Sequence, residues 1–237
     1  MPDTDETSTP SQEPHRRSIR SFVIRRGRST VAQERALEAL WPKYGIEFEA
    51  KPLDFNATFA NAAPVMLEIG FGAGEALLSF AQAHPELNCL GVEVHPPGVG
   101  HLLLGIEQAQ LSNVRVIMHD AVEVLERQLA PSSVARVHIF FPDPWPKKRH
   151  HKRRLIQPEF VALLARVLAP NGTLRLATDW EHYAHHMREV LDASDRFVNC
   201  AGSSGFIARP DDRPLTRFEK RGQRLGHGVL DLEYRRT

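Results

Sequence analysis

The sequence predicts an α/β fold, a doubly wound and mostly parallel sheet, on three observations. Short apolar runs at 65–69, 88–94, 114–118, 137–141 and 173–178 alternate with stretches of helical spacing, the pattern of βαβ units. The first run passes into a turn carrying Gly70, Gly72 and Gly74. Glu68, Glu93, Asp120, Asp143 and Asp179 each stand at or just past the end of one run. Right-handed crossovers bring those ends to one edge of the sheet, where open α/β sheets bind ligands. The five carboxylates are therefore expected to line a single cleft.

Residues 1–17 hold Asp, Glu, Ser, Thr, Pro and Gln with almost no apolar side chains, and are expected to be disordered. A basic arm and helix are assigned to 18–60. In the arm, arginines from Arg16 to Arg28 interleave with Ile19, Phe22, Val23 and Ile24, so it either docks by its apolar residues or stays solvated. Helical spacing over 31–40 ends at Trp41 and Pro42.

The main domain is assigned to 61–237. After the strand at 65–69, a helix over 75–83 opens on Glu75, where a dinucleotide fingerprint has its last glycine. A carboxylate at a helix N-terminus repels pyrophosphate, so a ligand without phosphates fits the turn better. Glu93 lies at the interval where an acidic residue meets ribose hydroxyls in Rossmann-like folds, although a plain strand-end glutamate reads the same. Val99, Leu102, Leu103 and Ile106 mark a core-facing helix. Asp120 suits an adenine amino group or caps the helix beginning at Ala121. Phe160, Leu163, Leu164, Val167 and Leu168 mark a helix stopped by Pro170, Asn171 and Gly172. A helix over 181–193 carries His182, His185 and His186 on one face; no companion motif calls for a metal, and none is expected. A last strand is read over 229–234.

The stretch VHIFFPDPWPKKRHHKRR, 137–154, joins a buried-looking strand, a proline turn with one carboxylate, and a dense cationic run. Pro142, Pro144 and Pro146 forbid both continued strand and an immediate helix, leaving Asp143 just past the strand's end. Alone, Asp143 reads more readily as a turn aspartate capping backbone amides than as a catalytic residue, and the run that follows it shifts that balance. From Lys147 to Arg154 every residue is Lys, Arg or His, a density that suits phosphate contact.

With 237 residues, 42% hydrophobic and 25% charged, the chain can bury one substantial core. A formal net charge of +1 conceals local patches, so contact with a polyanion rests on the patches. Cys89 and Cys200 lack metal-binding spacing and are expected to be buried, reduced thiols. Without an apolar run of about 18 residues or a secretory leader pattern, the expectation is a cytoplasmic protein with no membrane partner. Monomer and homodimer are equally compatible with the sequence.

LEIGFGAG, GVEVH, PDPWPKKRHHKRR, ATDW and TRFEKRGQRLGHG together resemble the bacterial tRNA (guanine-N7-)-methyltransferase family of the TrmB type, from about Arg20 onward. The resemblance implies a Rossmann-like class I methyltransferase that uses S-adenosyl-L-methionine and methylates N7 of the variable-loop guanosine 46 of tRNA. It makes Glu68, Gly70, Gly72, Gly74, Glu93, Asp120 and Asp143 the cofactor contacts, with Asp143 also the active-site residue. Lys147, Asp179, Thr216, Arg217, Phe218 and Glu219 would meet the substrate guanosine. Arg149, His150, His151, Lys152, Arg153 and Arg154 would be the RNA-interacting run.

Guanine N7 has a lone pair and no proton, so the chemistry needs alignment rather than a base. Asp143 would hold the cofactor and stabilise charge on the alkylated ring, while Asp179 and Glu219 would accept from the guanine N1–H and amino group. Competing classes are a methyltransferase for another acceptor, a nicotinamide dehydrogenase, and a non-catalytic tRNA-binding protein on a vestigial fold. The missing later glycine disfavours the dehydrogenase, and the complete carboxylate series disfavours the vestigial fold.

Overall fold

Buried apolar runs dictate the sheet, and the helical stretches between them cover its two faces. The computed structural model describes residues 21–22, 29–215, 219 and 228–237. In chain order the elements are α1 (Val31–Tyr44), β1 (Gly45–Ile46), α2 (Phe55–Phe59), β2 (Val65–Ile69), α3 (Glu75–Ala83), β3 (Asn88–Val92), α4 (Pro96–Gln108) and β4 (Val114–Ile117). There follow α5 (Ala121–Glu123) running into a π turn (Val124–Gln128), β5 (Val134–Phe140), a 3₁₀ helix (Lys148–Arg153), α6 (Pro158–Val167), β6 (Leu168–Thr178), α7 (Glu181–Asp192), β7 (Phe197–Asn199) and β8 (Leu230–Arg236).

Among the described residues the strands form one eight-stranded sheet ordered β1-β4-β3-β2-β5-β6-β8-β7. Pairs from β1 through β6 are parallel, while β8 returns antiparallel against β6 and β7 closes the edge against β8. The chain winds outward from β2 to β4, then crosses back to β5 and β6. The switch point therefore falls between β2 and β5. Two apolar clusters fill the faces: Met66, Leu77, Phe80, Leu102 and Val116 under α3 and α4, and Leu67, Val137, Phe160, Leu176 and Met187 under α6 and α7.

Several boundaries differ from the sequence expectation for local reasons. α1 runs through Pro42 to Tyr44, because the Tyr44 hydroxyl donates to Glu107 Oε2 at 2.6 Å and ties the last turn to α4. Pro170, Asn171 and Gly172 do not merely stop α6; they form an excursion inside β6, between the pairs Val134↔Leu168 and Arg136↔Thr173. Asn171 takes the left-handed conformation (φ 64°) that lets the chain return. Cys89 is buried as expected, but Cys200 is exposed, just past the edge strand β7.

Candidate active site

Strand ends on either side of the switch point open into a cleft of about 790 Å³. Gly70 lines it beyond β2, Glu93 and His95 beyond β3, His119 and Asp120 beyond β4, and Asp143 with Lys147 beyond β5. Gly70 and Gly72 have positive φ, and a Cβ on either would meet no atom within 4 Å, so the turn leaves open space for a ligand.

Glu93 holds this turn in place. Its Oε2 accepts from the Gly72 amide at 2.8 Å, and its Oε1 from Val94 and His95 at 2.7 and 3.1 Å. A carboxylate has about four acceptor positions, so room remains for a ligand's hydroxyls. Asp120 caps α5, Oδ1 accepting from Val122 at 3.0 Å, while its residue still faces the cleft. Both roles foreseen for it are therefore compatible.

Asp143 behaves differently. It is exposed and makes no hydrogen bond or ion pair among the described residues, so the amide-capping alternative has no support in the geometry. The backbone on either side is strained: Phe141 (φ 52°) and Trp145 (φ 45°) occupy the left-handed region, which costs on the order of 1–3 kcal/mol for each. The strain is held by anchors. Phe141 N–H donates to Ala177 O at 2.8 Å, Trp145 Nε1 donates to Ser21 O at 3.0 Å, and the Arg153 guanidinium lies 4.1 Å from the Trp145 ring centroid. Ser21 and Phe22 of the N-terminal arm reach the rim of the cleft in this way.

Other expectations need correction. Glu68 does not line the cleft: it is 2% exposed behind the turn, and Oε2 has no hydrogen-bond partner. Burial, then the charge on Glu93, pushes its carboxyl up to about 8, so it is mostly protonated at neutral pH. Gly74 packs closely on α4, since a Cβ there would come within 2.7 Å of Leu102, and it does not line the cleft. Asp179, half-buried past β6, stands outside the cleft. Thr216, Arg217 and Phe218 lie outside the described residues.

The cationic run divides. Lys147, Lys148, Arg149 and Lys152 are exposed, and His150, His151 and Arg153 half-buried. Desolvation and neighbouring cations push the imidazoles of His150 and His151 down, leaving the lysines and arginines to carry the charge. Arg154 points inward, 2% exposed, donating from Nε to Pro144 O at 2.9 Å and packing over Tyr183, with Nη2 3.1 Å from His182 Nδ1. Arg154 therefore braces the proline turn, with Nη1 alone of its nitrogens buried without a hydrogen-bond partner. Glu219 is likewise engaged, accepting from Arg213 at 2.7 and 3.1 Å. The three helix histidines serve packing: His182 meets Arg154, His186 Nε2 meets Ile156 O, and His185 lies edge-on to Phe206.

Sequence reasoning missed His95, His119, Trp145 and Arg213. Trp145 alone carried a readable signal, as the aromatic inside PDPWP; the others reach the site only through folding.

A family model described as "Putative methyltransferase" matches residues 62–232. Relatives called tRNA (guanine-N(7)-)-methyltransferase include one from Leifsonia xyli subsp. xyli, 57% identical over 91% of this chain and 95% of that protein. Another, from Thiobacillus denitrificans, is 56% identical over 92% of this chain and 95% of its own length. A third, from Hydrogenovibrio crunogenus, is 51% identical over 94% and 92% respectively. Among solved structures, the 16S rRNA methyltransferase KamB aligns with a TM-score of 0.53 at 16% identity, over 77% of this chain and 92% of that one. TrmN from Thermus thermophilus gives 0.52 at 15% identity, over 74% and 45%. These two likenesses concern the fold. The sequence identities of 51–57%, over more than nine-tenths of the chain, show that it belongs to the tRNA (guanine-N(7)-)-methyltransferase family.

Proposed function

We propose that this enzyme transfers a methyl group from S-adenosyl-L-methionine to N7 of guanosine 46 in the variable loop of tRNA. The observation that carries the reading is the juxtaposition of Asp143, in a strained turn open to the cleft, with the exposed cations of the adjoining 3₁₀ helix. One side of the turn suits the methyl donor and the other a polyanion.

The residues present fit the donor. Glu93 keeps acceptor positions for ribose hydroxyls, Asp120 for an adenine amino group, and the open space over Gly70 and Gly72 admits the amino-acid end. When bound, S-adenosyl-L-methionine supplies a methyl carried on a sulfonium. Transfer would exchange the sulfur–carbon bond for an N7–carbon bond and leave the positive charge on the guanine ring with no proton lost from N7, so the residues here would need only to orient the acceptor and stabilise that charge. No residue here has to act as a base. Asp143 supplies a fixed negative charge beside the developing cation, an effect strongest where water is excluded. Lys147, Arg149 and Lys152 would hold phosphates, and Asp179, past the end of β6, would accept from the guanine's N–H groups. Glu219 reads the base only if Arg213 leaves it an acceptor position, so its part is secondary. A cytoplasmic location accords with a tRNA substrate; among the described residues no helix is long and apolar enough to cross a membrane.

The test is methyl transfer from labelled S-adenosyl-L-methionine to tRNA lacking 7-methylguanosine, with nucleoside analysis and mapping of the product. Label in 7-methylguanosine at position 46 is expected. Transfer to another nucleoside would overturn the assigned atom, and binding of both ligands without transfer would favour the non-catalytic alternative. Asp143→Asn is expected to lower kcat by about 10²-fold or more while cofactor affinity changes little.

A further inference from the structure

Trp180 has no role in the site described above, yet it stands exposed just past the end of β6, the strand next to the one that feeds the proline turn. We propose that its indole is a stacking platform for a nucleobase of the RNA substrate, outside the cofactor cleft. The inference rests on the transfer reaction proposed above.

Register fixes the position. Phe140 of β5 pairs with Ala177 of β6, so the two chains leave the sheet side by side, one through Asp143 and the other through Asp179 and Trp180. Adjacent strands lie about 4.8 Å apart, which puts Trp180 beside the proline turn. Asp143 lines the cofactor cleft, whereas Asp179 and Trp180 do not. Both stand outside it, past the end of the neighbouring strand, where an acceptor too large for the cleft can reach them.

Chemistry separates this tryptophan from the other two. Trp41 Nε1 donates to Glu47 at 2.6 Å, and Trp145 Nε1 donates to Ser21 O beneath the Arg153 guanidinium. The Trp180 side chain makes no hydrogen bond, ring contact or cation contact among the described residues, and the residue is 39% exposed. It also sits at the N-cap of α7, where Ser, Thr, Asp or Asn would accept from a helix amide, and its side chain caps nothing. A locally unfavourable residue at a ligand-binding edge is the expected mark of function.

Its surroundings suit RNA. His182, two residues on, contacts Arg154 and lies 5.1 Å from the His151 ring, so the start of α7 abuts the cationic 3₁₀ helix. An exposed aromatic beside a row of phosphate-binding cations is the arrangement that captures unpaired bases by stacking.

Wild type, Trp180→Phe, Trp180→Leu and Trp180→Ala would be compared for tRNA KM, kcat and S-adenosyl-L-methionine affinity. The irradiated wild-type complex with tRNA would be mapped for protein–RNA crosslinks. Stacking predicts a tRNA KM raised roughly 5- to 50-fold for Ala and Leu, largely restored by Phe, with donor affinity unchanged and a crosslink at Trp180. Leu matching Phe, or a tRNA complex with no crosslink at Trp180, would overturn the stacking role while leaving the transfer reaction standing. A wild-type enzyme that neither binds nor methylates tRNA would overturn both.

Discussion

Glu68 and His138 are in-register neighbours on β2 and β5, and each is held in its neutral form by burial. Glu68 rises to about 8 and His138 falls to about 3. The native state keeps the Glu68 proton where the unfolded chain has lost it, between the ordinary 4.5 and about 8, so this group lowers stability as pH rises through that window. For His138 the unfolded chain binds a proton that the native state lacks, between 6.5 and about 3, so stability falls as pH drops through that range. Urea unfolding at several pH values should show Glu68→Gln flattening the alkaline slope, with a relative gain of about 1–3 kcal/mol at pH 8 over pH 5. His138→Leu should flatten the acid slope only. Unchanged slopes in both variants would mean that the two groups are solvated.

At the scale of the element, the 3₁₀ helix does two jobs that its sequence does not separate. Three of its cations, Lys148, Arg149 and Lys152, face solvent, while the adjoining Arg154 turns inward to the Pro144 carbonyl. Replacing Arg149 and Lys152 by Ala should weaken tRNA binding and reduce the slope of log K against log salt by about 1 for each, with donor affinity unchanged. Arg154→Ala should instead cost about 2–4 kcal/mol of stability and lower kcat by loosening the turn that carries Asp143. If Arg154→Ala unfolded like wild type and altered only the salt slope, the bracing role would be wrong. In KKRHHKRR the identity of the charges was legible, but their direction was not. A run of cations has no apolar period to show which residue faces the core.

Across the whole molecule, Arg213 joins the C-terminal segment to the sheet. Its side chain is 1% exposed, pairs with both Glu219 oxygens, donates from Nη2 to Asp231 Oδ2 at 3.0 Å, and lies over the Phe141 ring. The 2.7 Å approach of Nε to Asp231 Oδ1 is an ion pair without hydrogen-bond geometry. Arg213→Ala would leave two buried carboxylates facing each other, and an unfolding cost of about 3–5 kcal/mol is expected from denaturant titration. The sequence by itself determined the parallel strands, the helices between them, and the carboxylates Glu93, Asp120 and Asp143 at strand ends, because periodicity, glycine and proline act within a few residues. It missed β1 and β7, which are too short to carry a period and exist only as partners of β4 and β8. Only the tertiary structure decided that Glu68 is buried behind the turn, that Gly74 packs on Leu102, that Arg154 turns inward to the Pro144 carbonyl while Glu219 pairs with Arg213, and that Trp180 stands exposed past β6. Those outcomes depend on which distant segments come together, and a side chain's neighbours across a sheet are set by pairing and register rather than by its own place in the chain.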